Sequence, residues 1–388
     1  VILAPILGLS LAASLPPLEV NAKSALIMDE ASGIVVWAKD PDTPRPPAST
    51  TKILTGLLLI EHGLPADPVI APPDVAKVKE SSMNLKPGEK LSLNALAHGI
   101  LLRSANDGSY AAAVHVAGSE AAFCEMMNAR ARAVGATTAS FKNPHGLTAP
   151  GHRISARDLA KIGREAMKNA YFRQIVRTKT KEISRSINQK DLVMVNRNRY
   201  LRQDPTADGI KTGFTTPAGQ CYVGSATRNG YRLITVILNS KGHRADHKAM
   251  LDWAYSNFEP YTLYQDGEVV AELEYQGRRI EALAAGDVRA MRALNGMEPI
   301  VQRIDRLPEP KDQGEVSVIA YATARYPTGE SFRFPLKEGK TVYVPFATAA
   351  KTAGGGIGWV GILVGGALLL RSKARRWAVG PTIRRPQA

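Results

Sequence analysis

The chain has 388 residues and a mass of 41.8 kDa, enough for one large domain or two. With 44% hydrophobic and 22% charged residues it has an ordinary globular balance, which excludes a wholly disordered, collagen-like or many-span membrane protein. The net charge of +15 admits an anionic partner, but no helix-turn-helix, zinc-finger or stacking-aromatic pattern accompanies it, so no nucleic acid is expected. The basic stretch Arg164, Lys168, Arg173, Arg177, Lys179, Lys181 and Arg185 reads as a solvated face near an anionic membrane. Cys124 and Cys221, the two cysteines, form neither a disulfide framework nor a zinc site and read as buried free thiols.

Residues 1–22 read as a signal peptide that lacks its initiator Met and basic start. Val1 to Leu15 is an uncharged apolar region, and Val20-Asn21-Ala22 is a small-x-small cleavage signal. Residues 23–260 form one compositional unit. Ser24–Asp29 and Ser32–Trp37 predict a hairpin of buried strands. Pro44 to Pro47 is a rigid loop, and a helix is expected from Ser49 to Gly63, a suitable residue just past its end. Ala-rich helices cover about 92–135, and Ser155 with Asp158 predicts a capping box at the start of another. Cys221–Thr227 and Arg232–Leu238 read as strands joined by the turn Asn229-Gly230.

From 261 to 346 the pattern changes to a small β-rich domain. Val269–Tyr275, Val316–Arg325, Ser331–Leu336 and Thr341–Phe346 are expected strands. Gly277, Pro327-Thr328-Gly329 and Lys337-Glu338-Gly339 are the expected turns. A linker over 347–356 follows. Thr352 to Leu370 is a run of 19 uncharged residues. As a helix it would extend about 28 Å, close to a bilayer core of about 30 Å. The tail 371–388 carries Arg371, Lys373, Arg375, Arg376, Arg384 and Arg385 with no acidic residue, which places it on the cytoplasmic side of a transmembrane helix. The body is then expected at the cell membrane, on its outer face.

Three short motifs carry chemistry. In Ser49-Thr50-Thr51-Lys52 the i, i+3 spacing on a helix sets the hydroxyl beside the amine. A desolvated, neutral Lys52 can accept the proton of Ser49 and make it a nucleophile. In Ser104-Ala105-Asn106 a polar turn after an apolar helix aims short side chains into a cleft. Ser104 is placed to relay a proton to a leaving group, and Asn106 to hold Lys52 and a substrate backbone. Lys211-Thr212-Gly213 precedes a strand whose edge can pair with an extended peptide. Lys211 supplies positive potential for a carboxylate, Thr212 a hydrogen bond, and Gly213 close backbone approach. The N–H groups of Phe214 and Ser49 then form an oxyanion hole. Each motif alone is common; their order, helix start, helix end and strand, is what carries the reading. His243 and His247, four apart around Asp246, lack a further ligand and read as the start of a surface helix, so neither metal nor cofactor is expected.

This set resembles the active-site serine penicillin-binding proteins and class A β-lactamases. It is most similar to the low-molecular-mass D-alanyl-D-alanine carboxypeptidase family. The likeness rests on Pro47-Ala48-Ser49-Thr50-Thr51-Lys52, Arg103-Ser104-Ala105-Asn106-Asp107, Asn143-Pro144-His145-Gly146-Leu147, Lys211-Thr212-Gly213-Phe214-Thr215 and Ala218-Gly219, across roughly 23–260. The resemblance implies an α+β fold, an antiparallel sheet flanked by helices. It implies Ser49 as acyl-enzyme nucleophile and Lys52 as base. Ser104, Asn106 and Lys211 are implied as proton relay and substrate contacts, with Arg244 near a terminal carboxylate. The implied substrate is a peptidoglycan stem peptide ending in D-Ala-D-Ala, with β-lactams as covalent inhibitors. Gly108 departs from the family's usual alanine. A DD-endopeptidase, a β-lactamase-like hydrolase and a non-catalytic wall-binding protein are the alternatives. The β-lactamase reading needs a carboxylate for deacylation, and neither Glu165 nor Glu182 has supporting context.

Overall fold

The structure is a computed structural model that describes residues 15–295, 298–326 and 328–342. The apolar N-terminal region up to residue 14, and the linker, expected transmembrane helix and basic tail from 347 onward, lie outside the described residues. No helix among the described residues is long and apolar enough to cross a membrane.

In chain order, β1 (Ser24–Asp29) and β2 (Val35–Lys39) form the expected hairpin. A short 3-10 turn, Ala48–Thr51, runs directly into α1 (Lys52–Glu61). β3 (Pro68–Ile70) pairs with β4 (Lys90–Ser92). α2 (Leu93–His98) continues into a π-helical turn, Gly99–Arg103. The helices α3 (Asn106–Ala117), α4 (Glu120–Ala133), α5 (Ala156–Lys168) and α6 (Ala170–Arg177) follow. β5 (Thr180–Glu182) and β6 (Val193–Val195) make a small ribbon. β7 (Ala207–Thr215), β8 (Gly219–Arg228), β9 (Tyr231–Ser240) and α7 (His243–Asn257) complete this part.

The first sheet is antiparallel in the order β2-β1-β9-β8-β7, with β7 at an edge. Every residue of β1 is buried because both sheet faces are covered. Leu26 and Met28 point into the core formed with α1, α5 and α6, whereas Ala25 and Ile27 join the core under α7. That period of two is the geometry of a pleated strand. The Asn229-Gly230 turn has positive φ at both residues (51° and 81°), the backbone a two-residue hairpin needs. The capping box at α5 is only half formed. Ser155 accepts from the Asp158 N–H at 3.2 Å, but Asp158 reaches Thr138 and Lys161 instead of turning back. Thr138 Oγ1 accepts from the Ser155 N–H in its place.

The chain crosses from α7 through β10 (Phe258–Tyr264) into a second set of strands: β11 (Val269–Tyr275), β12 (Arg278–Ala284), β13 (Val288–Ala293), β14 (Ile300–Gln313), β15 (Val316–Arg325) and β16 (Ser331–Thr341). β10 pairs with β13, and the rest form a sheet in the order β11-β12-β16-β15-β14. β11 and β15 match their expected bounds. Lys337-Glu338-Gly339 is not a turn but lies inside β16. Gly339 is there because a Cβ would stand 2.8 Å from Leu283 Cγ, so its value is close packing. Residues 343–346 of the last expected strand lie outside the described residues. β12, β13 and β14 carried no clear sequence signal. β14 includes Pro308 and Pro310, which an edge strand with an irregular register between Arg306 and Lys311 tolerates. Arg157 on α5 bonds both Asp42 and Glu330, tying the second sheet to the first unit.

Two further expectations are corrected. The basic stretch is not one solvated face. Arg185 is fully buried, paired with Glu89 at 2.8 Å and bonded to the carbonyls of Met83 and Asn84. His247 is likewise not on a surface helix turn. It is wholly buried, with Nδ1 2.6 Å from Thr235 Oγ1 and its ring edge-on to Tyr200 and Tyr222. Among the described residues no cluster of His, Cys, Asp and Glu could hold a metal ion. Both cysteines are buried and free.

Candidate active site

Ser49 sits on the 3-10 turn that opens α1, so its side chain and that of Lys52 share one face. Lys52 Nζ is 3.0 Å from Ser49 Oγ. It is also 2.7 Å from Asn106 Oδ1 and bonded to the His145 carbonyl. A neutral amine has two N–H bonds and one lone pair. In that neutral form the oxygens of Asn106 and His145 take the two N–H bonds, and the lone pair is left for the Ser49 hydroxyl. Lys52 has no exposed surface. Burial holds its pKa well below that of an ordinary lysine, and the positive charges of Lys211 and Arg197 push the same way.

Asn106, first residue of α3, also donates from Nδ2 to the Lys79 carbonyl at 3.0 Å. Asp107 accepts from Ser82 Oγ and from the N–H groups of Met83 and Leu85. Together they draw the 79–85 segment against the site, and Glu80 and Ser81 face the cleft. Ser104 follows the π-helical turn with φ +66°, a left-handed conformation uncommon for serine, and is almost wholly buried. This bend turns its side chain toward the cleft that Ser49 lines.

On the other wall runs β7. Its edge passes over the Ser49 turn so closely that a Cβ on Gly213 would stand 2.8 Å from the Ser49 nitrogen and 3.0 Å from that of Thr50. Lys211 is buried, with Nζ 3.0 Å from the Thr212 carbonyl. Desolvation, with the charge of Arg197 adding to it, lowers its pKa to about 7. Thr212, Gly213 and Phe214 line the cleft, and the Phe214 side chain is exposed at its rim. Arg244 lines the same cleft from the first turn of α7, beside Lys241.

The structure thus brings Ser49, Lys52 and Asn106 into direct contact and gathers Ser104, Thr212, Gly213, Phe214 and Arg244 around one cleft of about 1230 Å³. Lys211 lies beneath it, coupled to Lys52 through its charge. Sequence reasoning missed Arg197, Arg199 and Glu80, which also line the cleft. The Asn196-Arg197-Asn198-Arg199 alternation was the available signal. It also left His145 and His152 as loop residues, although the loop they bracket packs against the Ser49 turn. Glu165, weighed as a deacylating carboxylate, is paired with Arg130 and Lys168 and does not line the cleft.

Comparison with known proteins agrees with this geometry. The family model described as D-alanyl-D-alanine carboxypeptidase matches residues 11–242. The chain is 34% identical over 262 residues to the D-alanyl-D-alanine carboxypeptidase DacF of Bacillus subtilis (strain 168), covering 66% of this chain and 67% of that protein. It is 32% identical over 310 residues to DacC of Escherichia coli (strain K12), covering 75% of this chain and 76% of the relative. Among solved structures, penicillin binding protein 5 from Haemophilus influenzae superposes with a TM-score of 0.67 at 26% identity, over 84% of this chain and 98% of that one. With the family match spanning Ser49, Lys52 and β7, the chain belongs to the D-alanyl-D-alanine carboxypeptidase family.

Proposed function

We propose that Ser49 is the acylated residue of a serine D-alanyl-D-alanine carboxypeptidase that removes the terminal D-alanine of peptidoglycan stem peptides. The observation that carries this is the wholly buried Lys52 amine, its pKa held well below that of an ordinary lysine, 3.0 Å from Ser49 Oγ and bonded to Asn106 Oδ1 and the His145 carbonyl. The substrate lies extended along β7, its main chain pairing with the strand edge. Its terminal carboxylate sits in the positive potential of Lys211, Arg197 and Arg244, with Thr212 as a hydrogen-bond donor.

Lys52 takes the Ser49 proton as Oγ attacks the carbonyl of the penultimate residue. The N–H groups of Ser49 and Phe214 receive the developing oxyanion. As the bond to the terminal D-alanine breaks, the proton passes to the leaving amine through Ser104. Water then hydrolyses the acyl-enzyme. A β-lactam acylates Ser49 by the same steps, but its opened ring stays tethered, so no leaving group departs.

The uncharged stretch 352–370 and the wholly basic tail after it support a membrane-anchored protein with its catalytic unit outside. A chain ending near residue 346 that still fractionates with membranes would refute that stretch as the sole anchor.

The deciding experiment measures free D-alanine from a synthetic peptide ending in D-Ala-D-Ala, beside fluorescent penicillin labelling. Ser49→Ala should lose both while keeping its melting temperature. Labelling that survives in Ser49→Ala would overturn the nucleophile assignment. A stable adduct without D-alanine release would favour an endopeptidase, and rapid penicillin turnover a β-lactamase.

A further inference from the structure

The turn that carries Ser49 is held in a conformation its own residues disfavour. Ala48 has φ +50°, a left-handed backbone that an alanine seldom adopts. Something outside the turn must hold it, and the 142–152 loop does so from beneath. Thr51 Oγ1 donates to the Ala48 carbonyl at 2.8 Å. His152 Nε2 lies 2.9 Å from that same hydroxyl oxygen. The Lys142 backbone N–H is 3.0 Å from His152 Nδ1. Gly146 packs so tightly that a Cβ there would stand 1.9 Å from the Ala48 oxygen.

These contacts fix every proton. A backbone N–H can only donate, so Nδ1 of His152 is bare and accepts. In a neutral imidazole the remaining hydrogen is then on Nε2, which donates to Thr51 Oγ1. The Thr51 hydroxyl hydrogen is thereby free for the Ala48 carbonyl. Burial and the nearby charges of His145, Lys52 and Lys142 favour the neutral ring, pushing its pKa down to about 4. The ring is buried and stands edge-on to Phe141, with centroids 5.7 Å apart. It does not line the cleft.

We propose that His152 is a positioning residue for the acylation step: through the chain Lys142 N–H to His152 to Thr51 to the Ala48 carbonyl, it fixes the strained turn that aims Ser49 at Lys52. The inference rests on Ser49 being the nucleophile. It assigns His152 no contact with substrate, so it acts on the rate of bond formation rather than on binding.

The test uses the full chain and a fluorescent penicillin in stopped flow, separating the limiting acylation rate from the half-saturation concentration. His152→Phe keeps the ring and its packing on Phe141 but removes both hydrogen bonds. Its limiting rate should fall about 10- to 100-fold, the cost of misplacing a nucleophile by a fraction of a bond length. The half-saturation concentration should stay within about threefold. His152→Gln, which can reach Thr51 with an amide N–H, should recover most of the rate. Thr51→Val should match His152→Phe, and the double variant should be little worse than either, because all three break one chain. A folded His152→Phe that acylates at the wild-type rate overturns the proposal. So does a Gln variant as slow as the Phe variant. Should His152→Phe fail to fold, a wild-type rate in Thr51→Val overturns it equally. Absence of wild-type labelling, or labelling that survives Ser49→Ala, would strike the nucleophile reading instead.

Discussion

Lys211→Met should make the protein more stable and less active. Lys211 is 1% exposed, and its pKa is lowered from 10.5 to about 7, first by desolvation and then by Arg197. In the unfolded chain the amine regains its ordinary pKa, so between pH 7 and 10.5 the unfolded state binds more protons. Stability therefore rises with pH through that window, and the full cost of the buried lysine is present below it. At 1.36 kcal/mol per pH unit, that cost is about 4 kcal/mol at pH 7 and about 2 kcal/mol at pH 9. Methionine fills a similar volume without charge. It loses the 3.0 Å bond to the Thr212 carbonyl, worth about 1 kcal/mol. The net gain at pH 7 is about 3 kcal/mol, or about 6–12 °C in melting temperature for a unit of this size. Denaturant unfolding of both proteins at pH 7 and pH 9 measures it, and the advantage of the variant should shrink by about 2 kcal/mol at the higher pH. Activity should fall, since the carboxylate loses a cation. The acidic limb of the acylation profile should also move to higher pH, because the charge that lowers the Lys52 pKa is gone. A variant less stable than wild type at pH 7, or an advantage that does not change with pH, would refute the reasoning.

Two more substitutions test the walls of the cleft. Gly213→Ala puts a methyl group 2.8 Å from the Ser49 backbone nitrogen, so β7 must move away from Ser49. Penicillin acylation should slow by about 100-fold with the fold retained by circular dichroism. Arg185→Met leaves Glu89 buried without its cation and should cost about 3–5 kcal/mol in denaturant unfolding. Replacing both as Glu89→Leu and Arg185→Met should recover much of that loss, since an apolar pair needs no mutual compensation.

The contact between Ser49 and Lys52 was legible because it rests on local spacing. Ser49 and Lys52 lie on one face wherever a helix begins there, and Asn106 begins a helix because the polar turn before it ends another. The hairpin at Asn229-Gly230 was equally local, since its two positive φ values belong to residues that tolerate them. Elements whose meaning lay in a distant partner were not legible. Lys337-Glu338-Gly339 has the composition of a turn, but pairing of Lys337 and Glu338 with Leu283 and Ala282 of β12 makes it strand. Arg185 belongs to a basic run in sequence and to a buried ion pair with Glu89 in space. His247 has the spacing of an exposed helix start, yet the strands bring Tyr222 over it and the turn before β7 brings Tyr200.

By itself, then, the sequence determined which residues could do acyl transfer, because a hydroxyl three residues before an amine on a helix is a short-range arrangement. Only the tertiary structure brings them together in a buried site. The lowered pKa of Lys52 comes from burial and from the charges of Lys211 and Arg197, while two oxygens far along the chain, one on Asn106 and one on His145, hold the amine beside Ser49. The aim of Ser49 comes from His152, 101 residues from the threonine it holds. A pKa and an attack angle depend on what surrounds a group in space, and no spacing along the chain contains that.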